Sequence, residues 1–229
     1  MLETLRAEVL EANLELVRRG LVLYTFGNAS GVSRGDGLVV IKPSGVPYGE
    51  MTPGHMVVTD LQGNIVEGDL RPSTDLPTHV ALYRAFPSIG GVVHTHSRHA
   101  TAWAQAGREI PCFGTTHADY FHGAIPVTPR LSADEVESEY EAHTGVKIIR
   151  TIGTRDPLSC PAVLVAGHAP FCWGATVTEA AHTAVIVEEL AAMAWMTVTI
   201  NAAATPISQA LRDKHHFRKH GATASYGQR

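Results

Sequence analysis

The run Ile89-Gly90-Gly91-Val92-Val93-His94-Thr95-His96 constrains the fold more than any other segment. A Gly/Val-rich run of this kind reads as a buried strand. Side chains two apart on a strand share a face, so His94 and His96 present two imidazoles where the strand leaves the core. Two neutral imidazoles joined by a carboxylate or a third histidine make a site for a first-row divalent metal, with room for a substrate. The same pair also fits strand-end histidines that bond locally, and the rest of the chain has to decide between the two.

The 229 residues suit one domain, and 45% apolar with 17% charged residues is ordinary for a globular core. A formal charge of −4 without a basic stripe argues against a nucleic-acid partner. The longest apolar stretch, Val185 to Met196, is short and broken by Glu188 and Glu189, so no membrane span is expected. Cys112, Cys160 and Cys172 form no C-x-x-C pair, and the first residues lack a signal-peptide profile; a cytoplasmic location is expected. Histidine is the outlier, at 13 residues.

Residues 1 to 19 carry apolar positions at helical spacing, ended by Gly20. Gly27 to Gly31 reads as a loop, Gly37 to Ile41 as a strand, and Lys42 to Pro47 as a turn. Met56 to Asp60 and Gly63 to Val66 read as a hairpin. Pro77 to Phe86 is a helix with proline in its first turn, and a further helix follows from about His99 to Ala106. Ala162 to Val165 is a strand running into His168, and Thr178 caps a long helix to Ala194. The expected fold class is α/β of the α+β type, one domain with a mostly antiparallel sheet flanked by helices.

His168 is either a third ligand or a strand-end histidine bonded to backbone. Asp75, just before the helix at Pro77, is either a fourth ligand or a helix N-cap. Gly27-Asn28, Ser44-Gly45 and Ser73-Thr74 offer backbone N–H, amide and hydroxyl donors to an oxyanion, and Lys42 adds a charge; each alone also reads as a plain turn. In the polar segment Thr115-Thr116-His117-Ala118-Asp119-Tyr120, Asp119 is a candidate acid/base. Tyr226 is a second candidate by chemistry, although its position marks it only as a chain end.

Together these segments resemble the class II aldolase family, and within it the sugar-phosphate epimerases. The resemblance runs from Leu2-Glu3 through Val40-Ile41-Lys42-Pro43-Ser44-Gly45 and is densest from Phe86-Pro87-Ser88-Ile89 to His99-Ala100-Thr101. It closes with Asp213-Lys214-His215, Arg218-Lys219-His220-Gly221 and Tyr226-Gly227-Gln228. The resemblance implies zinc, or manganese or cobalt in its place, on Asp75, His94, His96 and His168. It implies phosphate on Gly27, Asn28, Ser44, Gly45, Ser73 and Thr74, and Asp119 with Tyr226 as the acid/base pair. Thr115 and His215 are auxiliary candidates. It also implies a homotetramer with active sites at subunit interfaces, Tyr226 serving a neighbour. The reaction it implies is interconversion of L-ribulose 5-phosphate and D-xylulose 5-phosphate by cleavage and re-formation of C3–C4; an aldolase acting on a related sugar phosphate is the alternative. The family's aldolases carry Glu near the position of Asp75, which favours the epimerase. Ala169 stands where the family's His-Gly-Pro pattern has glycine, and Ser225 where it has tyrosine.

Overall fold

Most of the apolar runs become strands of one sheet. The structure, a computed structural model, describes residues 2–220 and 224. Its strands are β1 (Asn28–Ser33), β2 (Leu38–Ile41), β3 (Val57–Asp60), β4 (Ile65–Glu67), β5 (Gly91–His94), β6 (Ala162–Leu164) and β7 (Pro170–Gly174). They pair antiparallel throughout, in the order β4-β3-β2-β1-β5-β7-β6. The helices are α1 (Glu3–Arg18), α2 (Leu76–Ala85), α3 (Arg98–Ala106), α4 (Thr115–Ala118), α5 (Ala133–Glu137), α6 (Tyr140–Ile152), α7 (Val177–Ile200) and α8 (Gln209–His220).

Side-chain alternation sorts the core into two layers. Val40, Val58, Val93 and Cys172 join the cluster built with α1, α3 and α7. Val39, Ile41, Val57, Val92, Phe171 and Trp173 join the cluster on the opposite face, with α2 and α6. A sheet covered on both faces is why these strands read as unbroken apolar runs rather than as alternation. His94, two residues after Val92, therefore belongs to the α2/α6 side, where its ring stacks on Phe171 at 4.2 Å.

The paired glycines have a packing cause. Gly31, Gly91 and Gly174 stand in register across β1, β5 and β7. The start of α7 lies in the groove they leave. A Cβ on Gly91 would sit 2.5 Å from Val177 Cα and 2.7 Å from Thr176 O, and one on Gly174 2.7 Å from Ala180 N. These obstacles are backbone and cannot rotate away. Gly91→Ala is therefore expected to destabilise by about 1–3 kcal/mol or more, read as a lower urea midpoint. Gly35→Ala, which meets nothing within 4 Å, should leave the midpoint nearly unchanged.

Three expectations need correction. Residues 28–31 are not loop but the first part of β1, pairing with Gly91–His94. Gly31, which weakens a strand signal, is what lets α1 and α7 approach: a Cβ there would meet Val177 Cγ2 at 2.5 Å and Leu5 Cδ1 at 2.8 Å. The long helix is capped by Thr176, whose hydroxyl accepts from Glu179 N at 3.1 Å, not by Thr178, and it runs on to Ile200. His168 does not end a strand: β6 stops at Leu164, and His168 lies in the turn that joins it to β7.

By length and composition α7 could cross a membrane, with 24 residues that include an 18-residue window of mean hydropathy 1.5. Here it lies along the sheet, burying Val177, Ala180, Ala184, Val187, Leu190 and Ala194. Glu188, one of the two charges that break its apolar run, accepts from His99 N at 2.9 Å and Ala100 N at 3.0 Å. Two N–H groups at the start of α3, left without partners inside the helix, are thereby satisfied just after the His-x-His segment.

Candidate metal centre and adjoining cavity

β5 ends at His94, yet His96 keeps to its side. Their ring centroids are 4.9 Å apart and their Nε2 atoms 3.1 Å apart. His168 is brought to them by the β6–β7 turn, closed by Val165 N to Ala169 O at 3.0 Å and His168 N to Val165 O at 2.9 Å. Gly167 takes the left-handed conformation this turn needs (φ 78°), and Ala169 is not among the residues of positive φ. Alanine in place of the family's glycine is thus accommodated without backbone strain. His168 Nε2 lies 3.2 Å from His96 Nε2.

The ligand atoms of His94, His96 and His168 all lie within 4.8 Å of one another, and no other such group occurs among the described residues. The donor chemistry fits a divalent first-row ion. His94 Nδ1–H donates to Pro170 O at 3.0 Å, which leaves Nε2 its lone pair. Burial, then the neighbouring His94 and His96, pushes the His168 pKa down to about 4. Burial and His94 also lower that of His96, against the pull of Asp75. Both rings are neutral near pH 7, the form that binds metal. His94 is buried, His168 half-buried and His96 exposed, so the group opens outward.

Asp75 stands at the N-cap position of α2, but its side chain makes no capping bond. Instead Oδ2 accepts from Asn28 Nδ2 at 2.7 Å. Burial raises its pKa; the neighbouring His94 and His79, together with the Asn28 bond, outweigh that and hold it below the usual value. The carboxylate is ionised and lines the same cavity as the histidines.

That cavity, of about 510 Å³, is large enough for a small metabolite. It brings together Gly27, Asn28, Lys42, Ser44, Gly45, Ser73, Thr74, Asp75, His94, His96 and His168 from the sequence reading. Asn28 is the link: it is opposite His94 on β1, donates to Ser73 Oγ at 3.0 Å as well as to Asp75, and its buried Oδ1 has no partner. Lys42 is buried, its Nζ reaching only Thr25 O at 3.4 Å, Pro43 O at 3.2 Å and the Tyr48 ring. Burial lowers its pKa, and among the described residues no carboxylate pairs with it. A desolvated ammonium without an anion, beside hydroxyl and backbone donors, suits an anionic group such as phosphate.

Tyr140 and Glu141, at the start of α6, also line the cavity and were not foreseen. Nothing in Ser138-Glu139-Tyr140-Glu141 sets them apart; only the Ile148/Ile152 spacing further on marks the helix that carries them. Asp119, Thr115 and His215 lie elsewhere. Asp119 follows α4 and is held by α8, with Arg218 Nη2 at 2.9 and 3.0 Å from its two oxygens and His215 Nδ1 at 3.1 Å. Thr115 opens α4. None of these three lines the histidine cavity. Tyr226 and Ser225 fall outside the described residues.

Residues 7–195 match the family described as Class II Aldolase and Adducin N-terminal domain. The chain is 54% identical over 228 residues, 100% of both proteins, to L-ribulose-5-phosphate 4-epimerase UlaF of Salmonella paratyphi C (strain RKS4594). Among solved structures it is similar to an L-fuculose 1-phosphate aldolase, with TM-score 0.78, 22% identity, and 93% of this chain and 94% of that one covered. It is also similar to YgbL from Klebsiella pneumoniae, with TM-score 0.74, 26% identity, and 94% and 100% covered.

Proposed function

The chain belongs to the class II aldolase family, and from that premise we propose that it is a metal-dependent epimerase interconverting L-ribulose 5-phosphate and D-xylulose 5-phosphate. The observation that carries this reading is one cavity holding a convergent histidine group beside an uncompensated lysine and several neutral donors. The full-length likeness to an L-ribulose-5-phosphate 4-epimerase supplies the substrate.

His94, His96, His168 and Asp75 would hold the ion: zinc, or manganese or cobalt in its place. When bound, such an ion supplies Lewis-acid stabilisation of the negative charge that carbon–carbon cleavage develops. The protein's own groups do the rest. Gly27, Asn28, Ser44, Gly45, Ser73 and Thr74, with the Lys42 ammonium, grip the phosphate and so hold the two-carbon fragment after the bond breaks. A base takes the proton of the C4 hydroxyl. The C3–C4 electron pair passes to the three-carbon fragment, and C4 becomes the aldehyde of glycolaldehyde phosphate. Turning that aldehyde about its phosphate anchor offers its other face; the bond re-forms, and an acid on the opposite side returns a proton to the C4 oxygen. Two acid/base groups on opposite sides are therefore required. Asp119 and Tyr226 fill those roles, with Thr115 and His215 near Asp119 as auxiliaries.

The assembly is a homotetramer, and two features support the association of copies. Asp119 lies off the histidine cavity of its own chain, which fits its serving the cavity of another copy. The far end of α7 exposes Trp195, Met196 and Ile200, an apolar surface suited to burial against another copy.

Incubation with L-ribulose 5-phosphate is expected to yield D-xylulose 5-phosphate to equilibrium without free glycolaldehyde phosphate. Chelator treatment should abolish the conversion, and zinc, manganese or cobalt should restore it. Accumulation of glycolaldehyde phosphate would make the enzyme an aldolase, and no conversion with metal bound would overturn the substrate.

A further inference from the structure

We propose that Tyr140 is a positioning residue for the metal centre, its hydroxyl fixing the tautomer and orientation of His168. The inference rests on the reading of the histidines as metal ligands.

The Tyr140 hydroxyl lies 2.9 Å from His168 Nδ1. A ligating imidazole must keep its lone pair on the ligating nitrogen, so the other nitrogen carries the proton and needs an acceptor. For His94 that acceptor is a rigid one, the Pro170 carbonyl of the neighbouring strand. His168 has no strand of its own. It stands in a short turn, half-buried, and its Nδ1–H meets a side chain from a different element. Without an acceptor there the proton can move to Nε2, which removes the donor from the centre, and the ring can rotate.

The acceptor is in turn held. Thr78 Oγ1 donates to Glu141 O at 2.6 Å, tying the start of α6 to α2. The two helices approach closely at Gly145, where a Cβ would sit 2.7 Å from Ala81 Cβ. The helix that follows Asp75 thus also locks the segment that orients His168. One helix pair sets two of the four candidate ligands.

Tyr140→Phe removes one oxygen from a half-buried ring and should leave the metal-free protein's urea midpoint unchanged. Zinc affinity, measured by competition with a chromophoric chelator, is expected to fall about 10–100-fold, the usual effect of losing such a partner. The visible absorption of the cobalt-loaded protein should shift in the same variant, which a merely structural role would not do. Unchanged affinity and an unchanged cobalt spectrum in a wild-type-like fold would overturn the proposal. Wild-type protein that binds neither zinc nor cobalt would overturn both this inference and the metal reading, so the two failures are distinguishable.

Discussion

Replacing His96 by alanine is expected to remove the bound metal and lower epimerase turnover about a thousandfold or more, while the protein unfolds at the same urea concentration. Losing several kcal/mol of charge stabilisation at the transition state corresponds to a drop of that size. His96 is the cleanest of the three histidines to test. It is exposed, lies beyond the last residue of β5, and contacts mainly the other histidines of the group and Phe26. Truncating it opens no cavity, so stability should change by no more than about 0.5 kcal/mol. His94→Ala would confound the two effects, because that ring is buried and stacked on Phe171. Metal content, turnover and the unfolding midpoint, measured on one preparation, separate these terms. Retained metal and undiminished turnover in His96→Ala would remove the histidine group from the mechanism.

The histidine pair was legible because a spacing of two on a buried strand leaves little freedom in where the rings go. The structure adds that the strand stops at His94, with His96 held by its neighbours rather than by pairing. Asp75 was legible as a position but not as a contact. Nothing in Ser73-Thr74-Asp75 says that its carboxylate will turn from the helix it precedes to an amide on β1. Residues 28–31 misled for a related reason: Asn, Ala, Ser and Gly have weak strand preference, which is overridden by the close approach of α1 and α7 at Gly31 and by the bonds of Asn28 to Asp75 and of Ser30 to His79 and Tyr83. Tyr140 was out of reach because its role depends on the α2–α6 contact, which the local pattern around it does not encode. Candidate metal ligands of one element can be read from spacing. Groups that orient them from another element cannot.

Asp119→Asn should leave zinc bound and the fold intact but cut epimerisation about 10²–10⁴-fold, the range for a general acid or base. The carboxylate's surroundings make this a demanding test. Burial raises the Asp119 pKa, but the hydrogen bonds from Arg218 and His215, with Lys219 at 3.6 Å, outweigh it and hold the group below the usual range. It is ionised at neutral pH, ready to accept a proton though a weak base. The same contacts also tie α8 to the end of α4, so a loss of activity could reflect a loosened helix alone. Mixing two inactive variants resolves this. In His96→Ala the Asp119 side chain is intact, and in Asp119→Asn the histidines are. If a site takes its histidines from one chain and its aspartate from another, co-refolding the two should regain activity, about a quarter of sites being complete on random assembly. If Asp119 only anchors α8, or acts within its own chain, every hybrid site lacks one essential part and activity stays at the level of the separate variants. The absence of Asp119 from its own chain's histidine cavity favours recovery.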